Sequence, residues 1–558
     1  MSFAPSVVLS LSLSYDSGAA LFVDGRLVAA VGEERLNRIK NTRDFPALAI
    51  GECLALAGLR PEDVGLVLLA SRITPNWLSL KLARFHQKES ENLFSPLLYP
   101  VVIEQYLARR TGLIALEAEL VKSHVRGRLE KLGISARIVT LDHHTSHAYS
   151  VYSAAHFDNS LVITIDAMGD GISAAAFVGD GGRLRQIDEM SGFSTPAFVY
   201  SQVTQLLGFR PSRHEGKITG LAAFGDPGAT SPLFRQIMRY EKGRFRVRRI
   251  SSTRHPLYTE LMRHSREDIA AGVQSVLEEV IVAYVRHLMA ATGRRRLACA
   301  GGVFANVKLN QRLAEIEGID QIFVFPNMGD GGLPVGAGYA HFQTIPAGID
   351  NIYLGRAPTG DDCLAAIRKS GLPFDRPDDI AGEAARLLAD GKVVARCDGR
   401  MEYGPRALGN RSIMAKGDDV AINDWLNKRL RRTEFMPFAP STLDEHADRY
   451  YLNLDKARVS ARYMTVTFDC TEESRRMQAG CVHRDGTARP QLVTARDNPA
   501  YHAIIEGFRR LTGVASILNT SFNVHEEPIV NGPDDALKAF RQCRLDALIL
   551  GPFLVRQT

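Results

Sequence analysis

The stretch VVLSLSLSYDSGAALFVDGRLVAAVG (residues 7–32) consists of three apolar segments separated by two short polar turns. The first turn contains Asp16 and Gly18, and the second is the dipeptide Asp24-Gly25. Apolar runs separated in this way are typical of β-strands joined in hairpins, because Asp and Gly accept the backbone angles of tight turns. The stretch therefore predicts a meander of three antiparallel strands.

A second stretch, LVITIDAMGDGISAAAFVGDGGRLRQIDEM (residues 161–190), repeats this plan, with Asp166, Gly169, Asp170 and Gly171 in its first loop. In such loops glycine lets backbone N–H groups approach phosphate oxygens, while aspartate holds a cation or a water molecule. A duplicated strand, Asp/Gly loop and hairpin is the ground plan of the actin, sugar kinase and heat-shock ATPase (ASKHA) superfold. We therefore predict an α/β, actin-like domain with a duplicated βββα core. A generic duplication of hairpins is the alternative.

Two further glycine-rich turns support this prediction. Gly301 and Gly302 follow an apolar segment and precede a predicted helix that contains Asn306. A second such turn, residues 329–332, contains Asp330. Double glycine between a strand and a helix fits a nucleoside lying against the backbone. Each turn is weak evidence alone, but four of them in this order match one superfold.

Three of the chain's 15 histidines lie within five positions of the stretch LDHHTSHAYS (residues 141–150). A helix that starts after Asp142 places His143 and His147 on one face and turns His144 away from them. This is the spacing of a two-histidine metal clamp. Histidine pairs on helices are more often satisfied by hydrogen bonds, so the spacing alone leaves both interpretations open.

The bulk properties exclude several classes of protein. A chain of 558 residues is too long for one compact core, and its length predicts two to four domains. The formal net charge of +6 is small for this length, and basic runs such as GRRRL (293–297) are more often solvated helix faces than phosphate sites. The composition therefore predicts no nucleic acid partner.

The N-terminal residues lack the basic region and long apolar core of a secretory signal. The longest apolar segment (268–293) contains Glu278, Glu279 and Arg286, which predicts an amphipathic core helix and no membrane span. We therefore expect a cytoplasmic protein without a membrane partner. Seven scattered cysteines without a Cys-x-x-Cys pair argue against disulfides and against a structural zinc site, so any metal ligands are expected to be histidines and carboxylates.

The composition changes after about residue 343, where a segment rich in Gly, Pro and Asp is typical of an inter-domain connection. Four segments beyond it combine Arg, Asn, Ser or Thr with Gly and Pro, as expected of loops that bind a compact anion through the fixed fork of arginine. They are RMEYGPRALGNRSIMA (400–415), EFMPFAPST (434–442), VHRDGTARPQLV (482–493) and ILNTSFNVHEEPIV (517–530). Exposed basic loops without a ligand are the alternative.

Together these motifs resemble, over nearly the whole chain, the O-carbamoyltransferases of antibiotic and nodulation-factor biosynthesis, the NodU/CmcH/TobZ family. The segments that carry the resemblance are GEERLNRIK (32–40), DHHTSHAYSVY (142–152), TIDAMGDG (164–171), EGKITGLAAFGDP (215–227), GGVFAN (301–306), GDGGLPVGAG (329–338), GRMEYGPRALGNRS (399–412), DGTARPQ (485–491) and LNTSFN (518–523). So many motifs in one order make the resemblance specific.

The resemblance implies two modules and a two-step reaction. Residues 1–345 would form an actin-like carbamoyl-transfer domain similar to the tRNA threonylcarbamoyl-transfer ATPase, residues 346–360 a linker, and residues 361–558 an α/β YrdC-like domain. The YrdC-like domain would make carbamoyl adenylate from carbamoyl phosphate and ATP, with Mg²⁺ accompanying the ATP. The carbamoyl group would then pass internally to a free hydroxyl of a small-molecule acceptor in the first domain.

The resemblance also implies site residues. The metal ligands would be His143, His147, Asp166 and Asp330, which suit Fe(II), with Mn(II) or Zn(II) as alternatives, while His144 is set aside. The residues expected to bind nucleotide in the N-terminal domain are Gly169, Gly171, Gly301, Gly302, Asn306 and Gly329. The residues expected to bind carbamoyl phosphate and ATP in the C-terminal domain are Arg406, Arg411, Arg432, Arg489, Ser521 and Asn523.

The expected catalytic residues are Tyr15, Asp16 and Lys40, and here the chain departs from the family. Members usually have a His-Asp pair after the first strand, with the histidine as general base toward the acceptor hydroxyl. Tyrosine, with a pKa of about 10, is a poor base at neutral pH. We therefore expect Asp16 or another group to take the proton, or Tyr15 to position the acceptor. Lys40 is expected to stabilise charge on the reacting carbamoyl group.

A second departure lies in residues 427–440, where the family usually has Lys-x-Arg-Glu before Phe-Arg-Pro-Phe. Leu430, Thr433 and Met436 stand at the Lys, Glu and Arg positions. Arg432 is retained, and Arg429 or Arg431 is a candidate to compensate.

The competing enzyme class is a plain actin-like ATPase or sugar kinase, which explains the duplicated loops and leaves the C-terminal loops without a role. The expected acceptor is a natural product of antibiotic or glycoside type, with a nodulation-factor-type oligosaccharide as the alternative. Its contacts are expected from residues 72–135 and 186–260. For the oligomeric state, the expectation for a protein of this kind is a homodimer.

Overall fold

The computed structural model describes residues 6–81, 92–94, 98–343, 349–431 and 435–557. The chain divides into two compact units. The first comprises Met1–Ala30 and Asn41–Ile349, and the second comprises Val31–Lys40 and Asp350–Thr558. The second unit thus includes a short segment from the N-terminal part of the chain, which contains helix α1 (Glu34–Asn37).

The opening stretch forms the predicted meander in the first sheet. Its strands are β1 (Val7–Ser12), β2 (Gly18–Val23), β3 (Arg26–Gly32), β4 (Leu66–Leu69) and β5 (Arg137–Thr140). They lie in the order β3-β2-β1-β4-β5, with β1 antiparallel to β2 and parallel to β4. Every residue of β1 is buried, as expected of a central strand covered on both faces.

The second sheet of the first unit has the same plan. Its strands are β6 (Ser160–Gly169), β7 (Ile172–Asp180), β8 (Arg183–Ser191), β11 (Arg296–Ala300) and β12 (Gln321–Val324). They lie in the order β12-β11-β6-β7-β8, and β11 is parallel to both β6 and β12. The predicted duplication of a strand meander is therefore confirmed, and the two sheets extend it to five strands each.

Helices and one hairpin complete the first unit. The helices are α2 (Ala47–Ala57), α3 (Trp77–Lys81), α4 (Leu98–Thr111), α5 (Ile114–Glu130), α6 (His143–Ala155), α7 (Pro196–Leu206), α8 (Glu215–Ala222), α9 (Ser231–Ile237), α10 (Pro256–Leu261), α11 (Arg266–Thr292), α12 (Val307–Ala314) and α13 (Leu333–Phe342), and the hairpin is β9 (Met238–Glu241) and β10 (Arg244–Val247). Helix α13 packs along α6 and against β1. Among the described residues, no helix combines the length and the apolar character needed to cross a bilayer.

The second unit is built on an eight-stranded mixed sheet in the order β13-β22-β21-β14-β15-β20-β16-β19. Its strands are β13 (Phe374–Asp375), β14 (Val394–Cys397), β15 (Arg411–Ala415), β16 (Ala439–Leu443), β19 (Gln491–Val493), β20 (Ser516–Ser521), β21 (Ala547–Leu550) and β22 (Phe553–Arg556), and a separate pair is formed by β17 (Phe468–Asp469) and β18 (Thr487–Ala488). The helices are α14 (Gly360–Ser370), α15 (Ile380–Ala389), α16 (Ala421–Arg429), α17 (Arg458–Ala461), α18 (Glu472–Met477), α19 (Pro499–Thr512) and α20 (Pro533–Cys543). The chain is thus a mixed α/β protein, as predicted.

The register of the central strands brings two of the predicted anion loops together. Strand β15 is antiparallel to β20, with Ser412 opposite Ser521. The loop that precedes β15 therefore lies beside the loop that follows β20.

The expected linker, residues 346–360, is in large part a piece of the second unit. From Asp350 onward the chain belongs to that unit, and Tyr353 forms an antiparallel bridge with Glu402. Residues 344–348 lie outside the described part. All seven cysteines are buried, and none of them forms a disulfide within the described residues.

Candidate functional site

The helix that carries the histidine cluster begins at His143, one residue after Asp142. The Asp142 carboxylate accepts the N–H of Thr145 at 3.0 Å and forms an ion pair with Arg109 at 2.9 Å. Burial raises the pKa of Asp142, but Arg109 outweighs burial and brings it to about 2. An ionised cap at the positive end of the helix stabilises the turn from which His143 and His147 project.

Four predicted ligands come together around this turn. One ligand atom each from His143, His147, Asp166 and Asp330 lies within 4.8 Å of the other three. Nε2 of His147 is 3.2 Å from Oδ2 of Asp166 and 3.5 Å from Oδ1 of Asp330, and the corresponding distances for Nε2 of His143 are 3.8 and 3.7 Å. Asp166 lies in the last part of β6 and Asp330 follows β12, so the cluster forms at the carboxyl ends of parallel strands, where ligands of α/β sheets bind.

The donor set fits a divalent metal ion. Nε2 of both histidines and Oδ2 of Asp166 are buried and make no hydrogen bond within the described residues. Donors that bind one ion at about 2.1 Å are separated by about 3.0–3.4 Å, close to the shorter distances observed. Two imidazoles and two carboxylates form a mixed nitrogen and oxygen site, to which the expected Fe(II), Mn(II) and Zn(II) ions are suited.

The charges within the cluster depend on one another. Burial lowers the pKa of His143, but contact with Asp166 and the charges of Asp330 and Asp170 raise it to about 9. Although burial raises the pKa of Asp166, the two histidines hold it well below its usual range. A proton on His143 thus balances the buried carboxylates, and a bound cation competes with that proton.

His144 lies outside the cluster, as expected. Its Nδ1 is 2.8 Å from the Thr164 hydroxyl, and its Nε2 is 3.2 Å from the Ile172 carbonyl oxygen. Burial and the neighbouring histidines lower its pKa to about 3, which favours the neutral ring. Both nitrogens have partners, so His144 stabilises the packing of α6 against β6 and β7.

Two serines that the sequence analysis did not single out support the cluster. The Ser14 hydroxyl donates to Oδ2 of Asp330 at 2.6 Å, and the Ser71 hydroxyl is 2.8 Å from Nδ1 of His143. Each serine follows a strand, β1 or β4, at the same sheet edge, and that position is the signal that could have identified them. Contacts of this kind orient a metal ligand and leave its other atom free for the ion.

Asp170 links the helix to the loop after β4. Its carboxylate accepts the backbone N–H groups of His143, Arg72 and Ile73, each at 2.9 Å. This buried carboxylate therefore holds Ser71 and His143 in register.

The structure gives two of the predicted nucleotide-binding glycines a packing role. A Cβ atom on Gly169 would lie 2.1 Å from Cδ2 of His143, so only glycine leaves room for the imidazole. Gly301 has φ of +104°, and a Cβ atom there would lie 2.2 Å from the Ile165 carbonyl oxygen. Their use in binding a nucleotide stays a prediction.

The remaining residues of that set have varied surroundings. Gly171 lies in the turn after β6, and Gly302 lies beside the Asp166 carboxylate. Gly329 faces open space immediately before Asp330. Asn306 was predicted inside a helix; it caps the start of α12 instead and exchanges hydrogen bonds with the Gln274 amide. That reciprocal pairing gives Asn306 a structural role.

Tyr15 and Asp16 lie in the loop between β1 and β2, directly after Ser14, which bonds to Asp330. The Arg43 guanidinium stacks on the Tyr15 ring, 3.7 Å from its centroid. Oδ1 of Asp16 accepts a hydrogen bond of 2.6 Å from the Asn41 amide. The loop thus places both residues directly after the serine that contacts Asp330 of the cluster. Lys40, by contrast, ends the Val31–Lys40 segment of the second unit.

In the second unit the surroundings of Arg411 argue against its expected role. Its side chain is fully buried, and its guanidinium donates to the carbonyl oxygens of Arg356, Gly399, Asn410 and Asn531 at 2.8–3.1 Å. Because these bonds engage most of its donors with the main chain, Arg411 holds loops together, and its expected contact with phosphate stays a prediction.

The two arginines Arg406 and Arg489 are more accessible than Arg411. Arg406 and Arg489 are half-buried. Ser521 donates to Oδ1 of Asn523 at 2.6 Å, and Asn523 donates to the Glu527 carbonyl oxygen at 2.7 Å, so the S-x-N motif forms a closed turn. Arg432 lies outside the described residues.

The departures after residue 427 are only partly described. Leu430 is fully buried in the core, which explains why an apolar residue is accepted there. Thr433 lies outside the described residues. Met436 and Arg431 lie on the two sides of that gap.

Two family profiles match the chain. Residues 8–339 match the Carbamoyltransferase N-terminus and residues 385–557 match the Carbamoyltransferase C-terminus.

Individual relatives agree with this assignment. The nodulation protein NolNO of Sinorhizobium fredii (strain NBRC 101917 / NGR234) is 33% identical, over 99% of this chain and 80% of its own. The 3'-hydroxymethylcephem-O-carbamoyltransferase of Streptomyces clavuligerus is 26% identical, over 75% of this chain and 80% of its own. Among solved structures, HypF of T. kodakarensis aligns over 62% of this chain and 49% of its own, with 12% identity and a TM-score of 0.35. The family profiles span most of both units, and this chain therefore belongs to the carbamoyltransferase family and is a transferase.

Proposed function

We propose that this protein is an ATP-dependent O-carbamoyltransferase. In this proposal the second unit makes carbamoyl adenylate, and the first unit transfers the carbamoyl group to a hydroxyl of a small molecule. The observation that carries the proposal is the buried group of His143, His147, Asp166 and Asp330, with ligand atoms that make no hydrogen bond within the described residues, in a chain of the carbamoyltransferase family.

We further assign the first unit to the actin-like superfold and the second to the YrdC-like class. Support for the first assignment comes from the repeated five-stranded order and from loops that meet at the strand ends. Such loops hold nucleotide phosphates through backbone N–H groups. The second assignment rests on the sequence resemblance and on the mixed sheet that carries the predicted anion loops.

The proposed first step uses carbamoyl phosphate, ATP and water, and yields carbamoyl adenylate, pyrophosphate and phosphate. A carbamoyl group is a poor electrophile because its nitrogen donates electron density, so AMP is needed as the leaving group. Arg406 and Arg489 are the side chains we expect to bind the anions, because arginine offers several donors in a fixed plane. Arg411 would hold the loop that carries Arg406.

For the metal we propose Fe(II), with Mn(II) or Zn(II) as alternatives, held by the four clustered ligands. Such an ion, when bound, would supply Lewis acidity to the carbamoyl oxygen or to phosphate oxygens. Ser14 and Ser71 orient two of its ligands, and Gly169 leaves room for the His143 ring.

The acceptor hydroxyl must lose a proton, and we propose Asp16 as the group that takes it. Asp16 lies in the loop attached to the cluster through Ser14, and its Oδ1 is oriented by Asn41. We expect Asp16→Asn to lower the rate of carbamoyl transfer by about a hundredfold, as loss of a general base does, while pyrophosphate release continues. Full transfer activity in Asp16→Asn would remove it from this role.

The acceptor is proposed to be a hydroxylated natural product of antibiotic or glycoside type. The name of the Streptomyces clavuligerus relative describes O-carbamoylation of a hydroxymethyl group. A nodulation-factor-type oligosaccharide is the second candidate, because relatives named as nodulation proteins include one that matches 99% of the chain. A panel of both compound classes, screened for the mass gain of one carbamoyl group, separates them.

The deciding experiment follows the nucleotide products with purified protein, ATP and carbamoyl phosphate. Release of AMP and pyrophosphate supports carbamoyl adenylate formation. Release of ADP alone would favour the competing actin-like ATPase or sugar kinase. Protein stripped of metal with a chelator should still release pyrophosphate but should not carbamoylate an acceptor, which tests the division of labour between the two units.

A further inference from the structure

The segment Val31–Lys40 belongs to the second unit although it begins within the third strand of the opening meander. Within it, the short helix α1 is followed by Arg38, whose backbone adopts the left-handed conformation (φ of +61°). Arg35 and Arg38 both contact main-chain atoms of the second unit. These contacts reach two of the loops predicted to bind anions.

Arg35 contacts the loop that precedes β15. Its side chain is buried, and Nη2 donates to the Gly404 carbonyl oxygen. Burial lowers the pKa of the Arg35 guanidinium, and the charges of Glu34 and then Glu402 partly offset the cost of burial. Arg35 thus adds a buried positive charge beside the chain that leads to Arg406.

Glu402 organises the same loop from within. Its Oε1 accepts three backbone N–H groups, those of Leu408 and Asn410 at 2.8 Å and that of Arg411 at 3.1 Å. Three donors on one carboxylate oxygen fold the loop around it, since each bond to a charged acceptor is strong. The position of Arg406 follows from this wrapped conformation and from the Arg35 bond to Gly404.

Arg38 contacts the loop that follows the S-x-N motif. Its Nη1 donates to the Ile529 carbonyl oxygen at 2.7 Å, and its Nη2 donates to that of Pro528 at 2.8 Å. Its Nε lies 3.5 Å from Oδ2 of Asp535. One guanidinium therefore fixes two consecutive carbonyl groups, a geometry that matches the planar fork of arginine.

The two loops are joined to each other by Arg411 and to Ser521 and Asn523 by backbone bonds. Arg411 donates to the Asn531 carbonyl oxygen, and its own carbonyl accepts the N–H of Phe522. Val530 donates its N–H to the Phe522 carbonyl oxygen at 3.0 Å. Movement at residues 528–531 is thus transmitted directly to the turn that contains the S-x-N motif.

We propose that Arg35 and Arg38 are positioning residues for the carbamoyl phosphate and nucleotide site of the second unit. This inference rests on the proposed function. Arg35 holds the loop that carries Arg406, and Arg38 holds the loop that closes the S-x-N motif. Neither needs to touch substrate. Binding of anions by the second unit therefore depends on a segment that lies more than 300 positions earlier in the sequence.

The test compares Arg38→Ala, Arg38→Lys and the control Arg60→Ala in the full chain. Arg60 is a largely exposed arginine of the first unit that pairs with Glu62. With ATP and carbamoyl phosphate as substrates, we expect Arg38→Ala to raise the KM for carbamoyl phosphate about tenfold or more, because two charge-assisted hydrogen bonds are lost. Arg38→Lys should recover part of the loss, and Arg60→Ala should match the wild type.

Two further measurements separate positioning from general destabilisation. The metal content of the first unit and the thermal unfolding of Arg38→Ala should stay close to wild type, since Arg38 is partly exposed and the metal ligands lie in the other unit. Amide hydrogen exchange should increase in residues 522–531 and stay unchanged in residues 7–32. An unchanged KM in Arg38→Ala would overturn the inference, even if exchange increased.

A failure of the proposed function can be distinguished from a failure of this inference. If the wild type releases no pyrophosphate, carbamoyl adenylate formation is excluded. Calorimetric binding of ATP then decides the inference, because weaker binding in Arg38→Ala than in wild type and Arg60→Ala supports positioning, and equal affinity overturns it. Arg35→Lys serves as a second variant, expected to show a smaller effect in the same direction because the charge near Glu402 is kept.

Discussion

The metal cluster of the first unit and the anion loops of the second unit both contain buried charged side chains, but those side chains are satisfied differently. In the cluster, Nε2 of His143 and His147 and Oδ2 of Asp166 make no hydrogen bond within the described residues. In the second unit, Arg411 donates to four main-chain carbonyl groups. A buried atom without a partner is costly unless a ligand binds it, whereas most donors of Arg411 are engaged by the fold.

This difference separates residues that bind from residues that position. A motif identifies the type of side chain, and the hydrogen bonds of the folded chain decide how it is used. Arg411, Arg35 and Glu402 stabilise loop conformations, while Arg406 and Arg489 are left as the more accessible arginines. Substitutions in the two regions should therefore have opposite signatures, with loss of ligand binding in the cluster and loss of stability at the bonded arginine.

The largest expected effect comes from removing a cluster ligand. We expect His147→Ala to lower carbamoyl transfer at least a hundredfold, because a metal contributes several kcal/mol of charge stabilisation. Metal content, measured by elemental analysis, should fall in parallel. The matched control is His144→Asn, on the same helix but with both ring nitrogens bonded to Thr164 and Ile172, which should keep its metal although it loses stability. Equal metal loss in both variants would contradict the assignment.

At Arg411 we expect the main loss to be in stability and not in ligand binding. We expect Arg411→Met to lower the free energy of unfolding by about 3 kcal/mol or more, since buried carbonyl groups lose their donor. Denaturant titration measures this change. Arg489→Met, at a half-buried arginine, should cost less stability and act mainly on the KM for carbamoyl phosphate. The interpretation fails if Arg411→Met is as stable as wild type and only its KM changes.

A smaller effect is expected at the glycine beside His143. Gly169→Ala should weaken metal binding about tenfold or more, because the added methyl group would overlap the imidazole and displace it. Gly329→Ala should leave metal affinity near the wild-type value, since a Cβ atom there meets nothing within 4 Å. Competition with a chelating dye measures both affinities, and a similar loss in the two variants would argue against a steric cause.

The smallest effect concerns pH and the metal-free protein. The pKa of His143 is raised to about 9 in the folded chain, above the unfolded value of about 6.5. Its contribution to stability is therefore fully present below pH 6.5 and is lost as the pH rises toward 9. Thermal unfolding after chelation should show this decline, and His143→Gln should not. With metal bound the ring is held neutral, so the decline should shrink; an identical decline with and without metal would contradict this account.

Several parts of the fold could be predicted because they depend on local pattern. The strand meander of residues 7–32 and its repeat follow from alternating apolar runs and Asp/Gly turns, and the capped helix at His143 follows from Asp142 and the i, i+4 spacing. The grouping of His143, His147, Asp166 and Asp330 was predicted through family resemblance, and the structure brings these four residues together. That these residues bind a metal, and which metal they bind, remain predictions.

Other parts could not be predicted because they depend on contacts between distant residues. Ser14 and Ser71 are ordinary serines in the sequence, and only the parallel strands place them against Asp330 and His143. The side-chain pairing of Asn306 depends on Gln274 of a different helix. The role of Arg411 depends on carbonyl groups between residues 356 and 531.

The amino-acid sequence alone determined the α/β class, the duplicated meander, the family resemblance and the types of side chain available for chemistry, because these follow from periodicity, turn residues and motif order. The tertiary structure decided which of those side chains are already bonded and which are not. It also decided that Val31–Lys40 belongs to the second unit. The physical reason is that hydrogen bonds and burial are properties of atoms brought together by folding, and neighbours in space are not encoded by neighbours in the chain.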